Sequence, residues 1–181
     1  DVGVRFYTYE TVVGYFLEAA AKAHIKIILL DRPNPIGGEQ VQGPVSDANL
    51  ESYTDYMPLP VRHGLTLGEL ARYDNGEHRI PDAASPNVQV PINAELTVIP
   101  MQHWRRSEYF DLTYLPWTNP SPNLPNLTST TLYPGVAFLE GTNVSVGRGT
   151  PAPFEYIGAP YIDATALAAY LKARNIPGVT F

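Results

Sequence analysis

Apolar residues recur at helical spacing near the start of the chain, where Val12, Val13, Phe16, Leu17, Ala20 and Ala23 fall on one side and Glu18 stands four before Lys22. The spacing predicts an amphipathic helix over about Tyr9 to Ala23. Directly after it, the run KIILLD, ending at Asp31, is short, continuous and apolar, which predicts a buried parallel strand delivering the loop RPNPIGG. Thr66 and Glu69 have the spacing of a capping box ahead of LGELARY, so a second helix is expected to start near Leu67. Two further strands are expected at ELTVIPM, after a polar loop containing Asp82 to Asn93, and at GVAFLEG. Asp163 then caps ATALAAYLKARN, a helix with Leu167, Tyr170 and Leu171 on one side, ended by Pro177 and Gly178. Helices alternating with short apolar runs predict an α/β fold, and no internal repeat is visible.

In an open parallel sheet, ligands sit beyond the carboxyl ends of the strands. Each expected strand here ends in a loop full of functional groups. Asp31, Arg32 and Asn34 follow Leu30; His103, Trp104, Arg105 and Arg106 follow Ile99; Glu140, Thr142, Asn143 and Arg148 follow Leu139. These three loops are expected to form one pocket rim. The stretch Leu139 to Pro160 adds Glu155 and glycines at 141, 147, 149 and 158, a composition that suits a polar-ligand pocket and equally a long surface loop with solvated charges. The 18 prolines are concentrated in RPNP, MPLP, NPSPNLPN and PAPF. Fixed φ angles let such loops hold a site still.

At 181 residues the chain can bury roughly 70% of its unfolded surface, enough for a real core. It has no cysteine, which excludes disulfides, a catalytic thiol and thiolate metal sites. A net charge of -6 with scattered Lys and Arg offers no basic stripe, so nucleic acid is not an expected partner. Apolar runs such as that near Ile25 to Leu30 are far short of a membrane span, and the start carries no signal-peptide pattern, so the chain is expected to be cytosolic or to have lost an export signal. His63 and His103 lack HxxxH or HxH spacing and fit hydrogen-bonding roles better than metal ligation. The GRG at 147 to 149 is not a dinucleotide fingerprint, and there is neither a phosphate loop nor an acidic metal cluster. No metal and no cofactor are expected.

The blocks DVGVRFYTY, DRPNPIGG, VQGP, PLPVRHGLTLGELA, LTVIPMQHWRR, LPWTNPSPNLP, YPGVAFLEGTNVSVGRGT and PFEYIGAP cover nearly the whole chain. Together they resemble the exo-β-N-acetylmuramidase family of bacterial peptidoglycan recycling. The resemblance implies a Rossmann-like three-layer domain portion with a mostly parallel sheet over 1–158, and over 159–181 a helix and strand leading into a smaller auxiliary domain. It implies a hydrolase, a glycosidase that releases N-acetylmuramic acid from non-reducing ends of peptidoglycan fragments or muropeptides, in a periplasmic or secreted location. It also implies a segment ahead of Asp1 carrying a Glu-His-Gly block with a catalytic glutamate, so this chain is expected to be an internal portion. Gln42 stands in VQGP where the family pattern favours glutamate, and an amide there cannot serve as an acid or base.

Glycoside hydrolysis usually needs two carboxyl groups, unless the 2-acetamido oxygen of the substrate replaces one. Glu140 and Glu155 are the expected catalytic acids of this chain. Muramic acid carries a lactyl carboxylate, and an arginine fork is its natural reader. Arg32, Arg62, Arg105 and Arg148 are the candidates, with Arg148 between its glycines placed first. Asp31, Asn34, His63, Trp104 and Asn143 complete the expected substrate contacts, and Trp104 and Trp117 could stack on a sugar face. Asp31 fits equally a structural pair with Arg32. The rival function is a non-catalytic muropeptide or sugar-binding domain, which Gln42 slightly favours; a phosphate-ester or nucleotide enzyme is disfavoured.

Overall fold

A computed structural model describes residues 1–47 and 49–181, in two compact units, Asp1–Pro120 and Ser121–Phe181.

In the first unit, a 3-10 turn at Arg5–Tyr7 leads into α1 (Tyr9–Ala23), which closes with His24 in the left-handed region, φ 54°. Glu18 and Lys22 pair across one turn at 3.6 Å. Helix α2 (Leu67–Glu77) begins at the capping box: the Glu69 N–H donates to Thr66 Oγ1 at 3.2 Å and the Thr66 N–H to Glu69 Oε2 at 2.9 Å. Strands β1 (Ile27–Leu30) and β4 (Leu96–Ile99) pair in parallel, Ile27 opposite Leu96 and Leu30 opposite Ile99. A short antiparallel pair, β2 (Arg79–Pro81) with β3 (Gln89–Pro91), lies between α2 and β4 in the chain. The molecule is thus mixed α/β with small sheets, one of them a parallel pair.

One core packs Leu17 of α1 and Ala71 of α2 on Ile80, Ile92 and Ala94, with Ile27, Leu29 and Leu96 against it. A second gathers Tyr56, Met57, Leu59 and Leu70. The strand β1 is covered on one face only: Ile28 and Leu30 are 61% and 70% exposed. Helix α1 is also turned away from its expected face. Phe16 is 67% exposed, while Glu10, Thr11, Gly14, Leu17 and Ala20 are buried. Gly14 explains the rotation, because a Cβ there would stand 2.2 Å from the Tyr56 ring, so only glycine lets the Tyr56 loop lie against the helix.

The second unit holds α3 (Leu127–Val136), a 3-10 turn at Ala137–Gly141 and α4 (Ala164–Lys172). The strand expected at GVAFLEG is therefore helical. Asn126 caps α3 by accepting from the Ser129 N–H at 2.8 Å, and the chain runs straight through into the 3-10 turn. A short apolar run cannot by itself separate strand from buried helix, and the upstream cap decides it. Asp163 caps α4 as expected, accepting from the Ala166 N–H at 2.9 Å. Among the described residues no helix is long and apolar enough to cross a membrane.

Candidate ligand site at the ends of the parallel strands

Asp31 ends β1 and is held at the N-terminus of α2. Its Oδ1 accepts from the N–H groups of Gly68 (2.8 Å) and Arg32 (2.9 Å), and its Oδ2 accepts from Thr66 Oγ1 at 2.8 Å. A carboxylate suits that end of a helix, where unpaired N–H groups and the macrodipole favour negative charge. Gly68 permits the approach, since a Cβ there would lie 2.7 Å from the Asp31 carboxyl carbon. Asp31 therefore joins strand to helix and does not pair with the Arg32 side chain. Replacing Asp31 by Ala is expected to lower stability by about 2 kcal/mol, the loss of charge-assisted bonds at a helix terminus. A urea midpoint shifted down at unchanged slope checks this. An unmoved midpoint would show that Thr66 and Glu69 suffice for α2.

The loop after β4 closes on the same corner through Arg106. Its Nη1 donates to Glu69 at 2.6 Å, its Nη2 to the Gly64 carbonyl at 2.7 Å and its Nε to the Gly38 carbonyl at 3.2 Å. The Gly38 N–H returns a bond to the Arg106 carbonyl at 2.7 Å. One side chain thus fixes three loops and a helix cap, and it was read from the sequence only as a member of a rim. Trp104 is held by its Nε1–H on the Glu108 carbonyl, 3.3 Å, and the Arg105 N–H binds Glu108 Oε2 at 3.1 Å.

Between the two loops lies a cavity of about 420 Å³ lined by Asp31, Arg32, Pro33, Gln102, His103, Trp104, Glu108 and Tyr114 among others. The guanidinium of Arg32 is exposed and makes no hydrogen bond or ion pair among the described residues. Tyr114, 92% exposed in a left-handed conformation at φ 56°, stands on the wall, as does the Glu108 side chain. Neither was singled out from sequence. The signal available was Tyr114 in LTYLPW, an aromatic in a proline-rich loop, which is weak without burial.

The other expected contacts are placed differently. Asn34 is buried, donating to the Leu65 carbonyl at 2.9 Å and accepting from the Ile36 N–H at 3.2 Å. Arg62 is engaged on Gln42 Oε1 (3.1 Å), Tyr109 Oη (3.0 Å) and the Ile36 carbonyl. His63 is buried, its Nδ1 accepts from the Leu65 N–H at 3.1 Å and its Nε2 lies 3.5 Å from Asp1 Oδ2. Burial pulls its pKa down to about 4, so the ring is neutral with its proton on Nε2. Gln42 has a structural use, supporting Arg62 by side chain and by backbone bridge.

Glu140, Asn143, Arg148 and Glu155 lie in the second unit. Arg148 donates through Nε to Glu140 Oε1 and through Nη2 to Glu140 Oε2, and its guanidinium lies 5.0 Å from the Phe154 ring centre. Asn143 Oδ1 accepts from the Tyr161 hydroxyl, and Glu155 Oε1 accepts from Asn126 Nδ2 at 3.1 Å. Among the described residues, Arg32 alone of the four candidate arginines has an unpartnered guanidinium on the wall of this cavity; the Arg105 side chain also has no partner there but does not line this cavity. Among the described residues no group of three or more His, Asp or Glu side chains is arranged to hold a metal ion.

The cavity at the ends of the parallel strands thus brings together one guanidinium without a partner among the described residues, an indole, a phenol and a carboxylate. The chain belongs to the exo-β-N-acetylmuramidase NamZ family, whose N-terminal model matches residues 1–128 and whose C-terminal model matches residues 131–181. It is 46% identical, over all 181 residues, to the peptidoglycan β-N-acetylmuramidase NamZ of Bacillus subtilis strain 168, and spans 41% of that protein. Two crystal structures of DUF1343 family proteins from Bacteroides fragilis NCTC 9343 are similar. One has a TM-score of 0.86 at 35% identity over the whole chain and 45% of that protein. The other has a TM-score of 0.75 at 39% identity over 91% of the chain and 43% of that protein. The chain thus spans less than half the length of these relatives.

Proposed function

We propose that this chain carries the muramic acid site of an exo-β-N-acetylmuramidase, which releases N-acetylmuramic acid from non-reducing ends of peptidoglycan fragments. The observation that carries the reading is the free Arg32 guanidinium on the 420 Å³ cavity, in a chain of this family. Arg32 binds the lactyl carboxylate as a charge-assisted fork. Trp104 and Tyr114 offer faces to the sugar ring, and His103 and Glu108 bond its hydroxyls. Glu140 holds the loop of the second unit, because both its oxygens already accept from Arg148. Glu155, also in the second unit, engages Asn126 through Oε1 only, and its Oε2 has no hydrogen-bond partner among the described residues. The parallel β1–β4 pair is read as part of a Rossmann-like three-layer sheet; the bare faces of Ile28 and Leu30 support this, since a second helical layer would cover them. Peptidoglycan lies outside the cytoplasmic membrane, which is the reason for proposing a periplasmic or secreted location.

The protein expressed from its full coding sequence is expected to hydrolyse a chromogenic β-N-acetylmuramide and to leave the matching N-acetylglucosaminide essentially uncut. Binding of N-acetylmuramic acid without turnover would favour the non-catalytic binding domain instead. Equal action on both glycosides would remove the carboxylate from recognition.

A further inference from the structure

The Arg32–Pro33 segment has a cavity on either side, the one already described and a smaller one of about 210 Å³, so packing from behind does not hold it in place. Hydrogen bonds do. We propose that Arg106, paired with Glu69, is a positioning residue for the ligand site: it ties the wall that carries Arg32 to the wall that carries Trp104 and so sets the gap between them. The proposal rests on the muramic acid reading of the larger cavity.

A continuous run of hydrogen bonds joins the two walls. The Arg32 N–H donates to Asp31, Asp31 accepts from the Thr66 hydroxyl, and the Thr66 N–H donates to Glu69 Oε2. The other oxygen of Glu69, Oε1, accepts from Arg106 Nη1 at 2.6 Å. Arg106 stands two residues beyond Trp104 and does not itself line the cavity. Its remaining donors hold the carbonyls of Gly38 and Gly64. Gly38 is where the two loops touch: a Cβ there would lie 3.2 Å from the Trp104 ring and 3.3 Å from the Arg106 guanidinium carbon. The turn from Trp104 to Glu108 is braced within itself, by the indole N–H on the Glu108 carbonyl and the Glu108 N–H on the Arg105 carbonyl, so it follows Arg106 as one piece. An ion pair whose side chains are 43% and 34% exposed adds little to stability. A planar fork that reaches two loops and a helix cap is suited to placement instead, and ligand sites tolerate small misplacements poorly.

Glu69→Gln in the protein expressed from its full coding sequence tests this. Glutamine keeps the capping box of α2 but cannot pair with a guanidinium as a carboxylate does. Affinity for N-acetylmuramic acid is expected to fall roughly tenfold, the cost of a misplaced contact, while the urea midpoint moves little. Arg106→Lys, which keeps the charge and loses the fork, is expected to weaken binding as well. Added to Arg32→Ala, Glu69→Gln is expected to cost clearly less than it does alone, because the group it positions is already gone. Without ligand, the indole N–H resonance of Trp104 is expected to shift in both Glu69→Gln and Arg106→Lys, with that of Trp117 unmoved. Unchanged affinity, full additivity with Arg32→Ala, or an unmoved Trp104 resonance would overturn the positioning role. Failure of the native protein to bind N-acetylmuramic acid would instead sink the reading of the larger cavity, and the Trp104 resonance would still decide whether Arg106 and Glu69 place that wall.

Discussion

Raising the pH from about 6.5 to 9 is expected to destabilise the protein progressively, and Glu10→Gln or Asp74→Asn to flatten that fall. Glu10 of α1 and Asp74 of α2 are 1% and 0% exposed, and none of their four carboxyl oxygens has a hydrogen-bond partner among the described residues. Burial first, then the charge of Asp74, pushes Glu10 up to about 9; the Arg5 guanidinium pulls the other way and Asp55 adds to the rise. Burial pushes Asp74 up to about 7. The unfolded chain releases both protons near pH 4, so across the interval between that and the raised values the folded state holds more protons. Stability is complete below the unfolded values and is lost as pH climbs through the folded ones. Each extra proton corresponds to about 1.4 kcal/mol per pH unit. His63 and the buried Asp1 α-amino group act in the opposite sense: their pKa values, lowered by burial to about 4 and about 6, make stability fall as pH drops below about 6.5 and 8 respectively, so the carboxyl effect is cleanest above pH 8. Urea midpoints at pH 6.5, 8 and 9 measure the effect. Each amide variant is expected to overtake the native protein at pH 9; profiles that stay parallel would show that the buried pair does not titrate in this range.

Arg32→Ala is expected to cost the larger cavity roughly tenfold to a hundredfold in affinity for N-acetylmuramic acid, and much less for N-acetylglucosamine. A hydrogen bond to a charged group is worth about 1.5–3 kcal/mol, and only the muramic sugar carries the carboxylate. Arg148→Ala is the control, because that guanidinium is already bound on both sides by Glu140. It is expected to lower the melting temperature by a few degrees, as an ion pair with partly exposed side chains would, without changing the preference between the two sugars. A loss of preference in Arg148→Ala with Arg32→Ala unaffected would reverse the assignment.

The sequence alone carried a good part of the frame. The bounds of α1 were legible in the 3.6-residue recurrence, the start of α2 in Thr66 and Glu69, and the parallel character of β1 in an unbroken apolar run followed by a functional loop. The two loops that meet at the larger cavity were legible for the same reason, because chain order puts them after parallel strands. GVAFLEG misled, since its six apolar or small positions fit either period and the deciding cap lay nine residues upstream at Asn126. The facing of α1 misled as well, because side-chain hydropathy favours burying Phe16 whereas the backbone space beside Gly14 brings Tyr56 in and buries Glu10.

What the sequence determined by itself is therefore local: helix ends, strand runs, loop chemistry and, through its ordered blocks, the family. Only the tertiary structure decided which charges are free. Arg32, Arg62, Arg106 and Arg148 are chemically the same group, and nothing along the chain tells that the second braces Gln42 and Tyr109, the third clamps Glu69, Gly38 and Gly64, the fourth pairs with Glu140 and the first faces an open cavity. A guanidinium's role depends on which acceptors stand within about 3 Å of it. That distance is set by residues up to 68 positions apart in the chain, as for Arg106 and Gly38, and so by packing and not by spacing.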